Sequence, residues 1–121
     1  MKNELERRIS DAVDQSRERI AETLQQLIRF ESIVMADPIK AGPGERECQK
    51  YLEGRLLAAG FETDLWEPDA DTLLAKYLGK PGAQHGRNFR GRPNLAGTLH
   101  GSGGGRSILL TGHIDVVPPG E

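Results

Sequence analysis

What this chain has little of narrows its function first. Its 121 residues include one cysteine, Cys48, so an internal disulfide framework is excluded. Aromatic residues make up 5%, too few for a surface that stacks nucleic-acid bases. A net charge of −2 leaves no basic excess to neutralise a phosphate backbone. No nucleic-acid partner is therefore expected. No apolar run reaches the length of a transmembrane helix, so no membrane partner is expected either. The N-terminal "MKNELERRIS" is charged and has no apolar signal core, which points to a cytoplasmic protein. Hydrophobic residues at 36% and charged residues at 28% fit a globular rather than a disordered chain. The length suits one modest domain with a real core.

Along the chain, Leu5, Ile9, Val13, Ile20, Leu24, Leu27 and Ile28 recur in steps of three, four and seven. That spacing predicts one long amphipathic helix over 4–31. Asn3, with Glu6 three residues on, predicts its N-terminal cap. Acidic and basic residues alternate between the apolar ones, so the polar side reads as a solvated face. Pro38, Gly42, Pro43 and Gly44 then mark a loop. A second helix is predicted from Glu45 to Ala59, ended by Gly60, with Phe61 packing back on its last turn. Cys48 falls in this helix and reads as a small core residue. A catalytic thiol needs an activating base, and no local histidine offers one.

"FETDLWE" (61–67) alternates apolar and polar side chains and predicts a strand. "DADTLLAKYLG" predicts a short helix capped by Asp69 or Asp71. "KPGAQHGRNFRGRPN" (80–94) is a loop rich in Gly, Pro and Arg, and its His85 reads as plain surface. "NLAGTLHG" and "RSILLTGHID" predict two strands joined by a "GSGGG" turn. That tract lacks the Lys-Ser/Thr ending of a phosphate loop, and a strand rather than a helix is predicted after it. His100 reads as structural or exposed, because its sequence neighbours supply no carboxylate. The order of elements predicts a mixed α/β layer arrangement. The unalternating "ILL" (108–110) predicts a strand covered on both faces, near the centre of a sheet.

The chemistry is concentrated in Gly112-His113-Ile114-Asp115. In an extended chain, residues two apart point to the same side, so His113 and Asp115 can lie together. The carboxylate can take the proton of one imidazole nitrogen and leave the other free for a metal. Ile114 is expected to point into the core, and Pro118-Pro119 to stop further pairing. A bare H-x-D equally fits a core histidine satisfied by a neighbouring aspartate. A Ser-His-Asp triad has no nucleophile elbow here.

The longer stretch "RPNLAGTLHGSGGGRSILLTGHIDVVPPGE" (92–121) resembles the acetylornithine deacetylase / succinyl-diaminopimelate desuccinylase / carboxypeptidase family of binuclear zinc hydrolases. Its most specific part is the apolar run followed by "GHIDVVPPGE"; residues from about Glu22 through "LLAAGFETDLWE" are similar more loosely. The resemblance implies a three-layer αβα catalytic domain with a mixed sheet, of which residues 1–121 are the incomplete N-terminal portion. It implies that His113 is a zinc ligand and that Asp115 orients its imidazole. Two zinc ions, with cobalt as a substitute, would activate a water that attacks an amide carbonyl, with a glutamate as general base.

The implied substrates are N-acyl amino acids or small peptides, and the complete enzyme is expected to be a homodimer. The bridging aspartate, the glutamate pair, the further carboxylate and the second histidine of that family have no counterpart before Glu121. The isolated chain is therefore expected to be an inactive fragment. The competing expectation is a non-catalytic binding or interaction module that keeps a hydrolase-like start.

Overall fold

The computed structural model describes residues 3–33, 44–81, 83 and 85–118. The loop signals at Pro38, Gly42 and Pro43, and the stop at Pro119, lie outside them. The described elements are α1 (Glu4–Gln15), α2 (Arg17–Ile28), α3 (Glu45–Ala58), β1 (Glu62–Trp66), α4 (Ala70–Tyr77) and β2 (Asn94–Thr98). The chain is thus a mixture of helices and a small two-stranded antiparallel sheet. It divides into one unit ending at Phe30 and a second beginning at Glu31. No described helix is long and apolar enough to cross a membrane.

In the first unit the predicted cap is formed in full. Asn3 Oδ1 accepts the Glu6 N–H at 2.9 Å, and Glu6 Oε2 accepts the Asn3 N–H at 2.8 Å, a reciprocal capping box. The single helix expected over 4–31 is instead two helices meeting at Ser16, whose φ of −92° and ψ of 3° leave the helical region. The Ser16 N–H turns back to Val13 O, tightening the last turn of α1. Serine is a weak helix former because its hydroxyl competes for local partners, and here Ser16 Oγ accepts from Arg19. The apolar stripe Leu5, Ile9, Val13, Ile20, Leu24 and Ile28 is exposed along both helices.

The second unit is built around α3. The Gly60 N–H donates to Leu57 O at 3.0 Å and the Phe61 N–H to Leu56 O at 3.1 Å. With Gly60 at φ +86°, this is the paired-bond glycine termination that the sequence predicts. Chain reversal there sends β1 back along α3. β1 pairs antiparallel with β2 in a register that sets Leu65 opposite Leu95 and Thr63 opposite Gly97. Thr63 and Leu65 alternate inward from exposed neighbours, as expected for a sheet covered on one face. α3 covers that face. Thr63 Oγ1 donates to Glu53 of α3 at 3.3 Å, and a Cβ at Gly97 would stand 2.9 Å from Leu56 Cδ1 and 3.2 Å from Phe61 Cδ1. Between the strands, α4 is capped by Asp69, whose Oδ1 accepts the Thr72 N–H at 2.7 Å. Hydrogen bonding from Thr72, through its side chain and its backbone, holds the Asp69 carboxyl below the usual carboxylate range.

Two expectations are corrected here. β2 takes β1 as its partner, not residues 106–115, so the predicted hairpin across "GSGGG" does not form. The "ILL" run is not a covered central strand: Ile108, Leu109 and Leu110 are 84%, 89% and 83% exposed. A strand is held by a ladder to a neighbour, and the one described pairing near this segment is a parallel bridge between Ile33 and Val116. Apolar content alone does not create a strand without that neighbour.

Candidate functional site

The segment carrying His113 and Asp115 is anchored at its C-terminal side. The Val116 N–H donates to Ser32 O at 2.9 Å, and Ser32 Oγ donates to Ile114 O at 2.8 Å. Ser32 therefore bonds the backbone on both sides of Asp115. It is 3% exposed, so these bonds are shielded from competition with water. Ile114 and Asp115 are half-buried against this anchor, while His113 is exposed. Ile114 is thus only partly covered, short of the core position expected for it.

Serine 32 is itself held from behind. Gly44 donates its N–H to Glu31 O at 2.9 Å, and the two backbones lie in direct contact. A Cβ built on Gly44 would stand 2.4 Å from Glu31 N and 2.6 Å from Glu31 C. The absent side chain at Gly44 is what lets the chain entering α3 press against the residue preceding Ser32.

The expected same-side placement of His113 and Asp115 is present. His113 Nδ1 lies 2.9 Å from the Asp115 backbone oxygen and 3.1 Å from Asp115 Oδ1. A backbone carbonyl only accepts, so Nδ1 must carry the proton in both contacts. In the neutral ring, the Nε2 lone pair is then available to a metal. Nε2 makes no hydrogen bond to a described residue. Backbone oxygen and carboxylate share the orienting role, a feature that the H-x-D pattern does not reveal.

The other candidates take different places. Cys48 is 2% exposed, and burial pushes its thiol above the usual range, the state of a core residue rather than a nucleophile. His85 sits in an exposed turn, as expected. His100 does have a carboxylate partner: its Nε2 lies 3.2 Å from Glu62 Oε2. That partner comes from β1, through the β1–β2 pairing, and was invisible among the sequence neighbours of His100. The pair is exposed on both sides, where such contacts contribute little.

A cavity of about 250 Å³ lies beside α4, with Leu73, Leu74, Tyr77, Pro81 and Phe89 in its walls. It contains none of the residues expected at a metal site. Among the described residues, His113 and Asp115 thus lie outside this cavity.

Among the described residues, no three His, Cys, Asp or Glu side chains come together as a metal-holding group. A catalytic zinc normally takes three protein ligands and an open position. His113 and Asp115 fit one ligand and its orienting carboxylate, not a complete site. Ser32 escaped the sequence reading because a lone serine after a helix has no signature. Its role appears only through contacts 82 or more residues apart in sequence. No protein-family model, curated protein or solved structure matches the chain.

Proposed function

We propose that this chain is the N-terminal part of the catalytic domain of a binuclear zinc amide hydrolase. The resemblance of residues 92–121 to the acetylornithine deacetylase / succinyl-diaminopimelate desuccinylase / carboxypeptidase family motivates the reading. The observation that supports it best is the His113 ring, whose Nδ1 is directed at Asp115 and whose Nε2 is left open. The reaction assigned to the complete protein is hydrolysis of an amide bond in an N-acyl amino acid or a small peptide. The three-layer αβα domain with a mixed sheet, the homodimer and the cytoplasmic location belong to the same proposal.

Each residue has a defined part. His113 supplies one neutral nitrogen ligand. Asp115 fixes the ring's tautomer and direction, through both its side chain and its backbone oxygen. Zinc, when bound, would polarise the substrate carbonyl and lower the pKa of a coordinated water. The remaining ligands and the general base belong to sequence beyond Glu121 in this reading.

The test is a cobalt(II) titration of the chain followed by spectroscopy. One weak site is expected, abolished in His113→Ala and retained in His85→Gln and His100→Gln. Asp115→Ala is expected to weaken it by roughly 10- to 100-fold, the usual effect of removing a ligand's orienting partner. Two tight sites on the chain would overturn its assignment as a fragment. Binding indifferent to His113 would overturn the metal reading and favour a non-catalytic module. Independently, the coding sequence beyond Glu121 is expected to continue in frame with a glycine-flanked aspartate and then a Glu-Glu pair.

A further inference from the structure

We propose that Ser32 is a positioning residue for the His113–Asp115 pair. This rests on the reading of His113 as a metal ligand and adds a residue from the far end of the chain.

Asp115 is held by its neighbours' backbone, not by its own side chain. The carbonyl before it, on Ile114, accepts from Ser32 Oγ, and the N–H after it, on Val116, donates to Ser32 O. The two bonds fix the peptide planes on either side of the Asp115 Cα. They thereby set the directions of both its carboxylate and its backbone oxygen, the two groups that meet His113 Nδ1. The Asp115 carbonyl belongs to the same peptide plane as the Val116 N–H. A rotation of that plane would break the bond to Ser32 O and the bond to Nδ1 together.

No other described element pairs with this segment through a backbone bridge, so Ser32 and its neighbour Ile33 provide its local register. Because Ser32 is buried and Asp115 is half-buried while the imidazole is exposed, the order in the ring originates at the serine. Loss of the hydroxyl would free the Ile114 carbonyl to turn. The Val116 N–H bond to the Ser32 backbone oxygen survives that loss, so the contact that weakens is the one from the Asp115 carboxylate, and the ring would drift toward the Nε2–H tautomer, in which the metal-facing nitrogen carries the proton.

The experiment measures the ring nitrogens of His113 by ¹⁵N NMR on the full chain without metal, at a pH where the ring is neutral. His113→Gln assigns the signals. In the unmodified chain, the Nδ1–H tautomer is expected to dominate. In Ser32→Ala, the ratio is expected to move toward Nε2–H by about five- to tenfold, the worth of one ordinary hydrogen bond. Ser32→Thr, which keeps the hydroxyl, is expected to restore it. A merely structural serine would change stability but not this ratio.

A folded Ser32→Ala with the unmodified ratio would overturn the proposal while leaving the metal reading intact. Dominance of Nε2–H in the unmodified chain would overturn both, and that difference separates the two failures. If Ser32→Ala does not fold, Ser32→Cys keeps the size with a far weaker donor. A folded cysteine variant with the unmodified ratio would then refute the proposal.

Discussion

Gly44→Ala is expected to destabilise the second unit by about 3 kcal/mol, the upper part of the usual overpacking range. The reason is specific to its neighbour. The new methyl would meet Glu31 backbone atoms at 2.4 and 2.6 Å, and a backbone cannot swing aside as a side-chain tip can. Either the start of α3 or the Glu31–Ser32 segment must move, and the second carries the anchor of Asp115. Thermal melting should therefore fall by roughly 12–24 °C, and the signals of Ile114 to Val116 should shift with it.

Gly54 provides the control. It lies inside α3 with nothing within 4 Å of its missing Cβ, so Gly54→Ala is expected to raise stability by up to about 1 kcal/mol. Equal losses at the two glycines would show that the contact at Gly44 is not the cause.

The second large effect is expected at Arg92. Its Nε donates to Glu45 Oε2 at 2.8 Å, with side chains 19% and 8% exposed. Glu45 is the first residue of α3, where the helix end favours a carboxylate. Arg92 precedes the buried Pro93 and β2, so the pair ties the entry of the helix to the entry of the strand. Arg92→Met would leave the Glu45 charge buried without this partner. The expected loss is about 3 kcal/mol in chemical denaturation.

A double replacement, Arg92→Met with Glu45→Gln, should recover much of that loss, because the buried carboxylate charge that lost Arg92 is then removed as well. A double variant as unstable as the single one would refute the ion-pair account. The exposed pair of Arg7 and Glu4 should show almost no effect when treated in the same way.

Elements governed by near neighbours were readable in the sequence. Asn3 and Glu6 announce the start of α1, Gly60 and Phe61 the end of α3, and Asp69 the start of α4; each cap is completed within a few residues. The alternation in "FETDLWE" likewise predicted β1. The break at Ser16 was not legible, because the apolar spacing runs straight across it.

The strand expected at 106–115 shows the opposite limit. Three consecutive apolar residues predict burial, but a strand requires a partner ladder, and the spacing of one segment does not say which segment provides it. β2 found β1, across α4 and the loop at 80–94. That pairing also brought Glu62 to His100, a contact no local reading could supply.

The same division runs through the candidate site. By itself the sequence determined that His113 and Asp115 stand on one side of an extended chain, because that follows from backbone geometry over three residues. It also determined the helix ends, for the same local reason. Only the tertiary structure decided which atoms hold the imidazole and what holds them in turn. The Asp115 backbone oxygen joins its carboxylate at Nδ1, Ser32 fixes both adjoining peptide planes, and Gly44 backs the residue before Ser32. The Ser32 contacts join segments 82 or more residues apart, as between Ser32 and Ile114 and between Ser32 and Val116. They depend on where the chain returns in space, which no local pattern encodes.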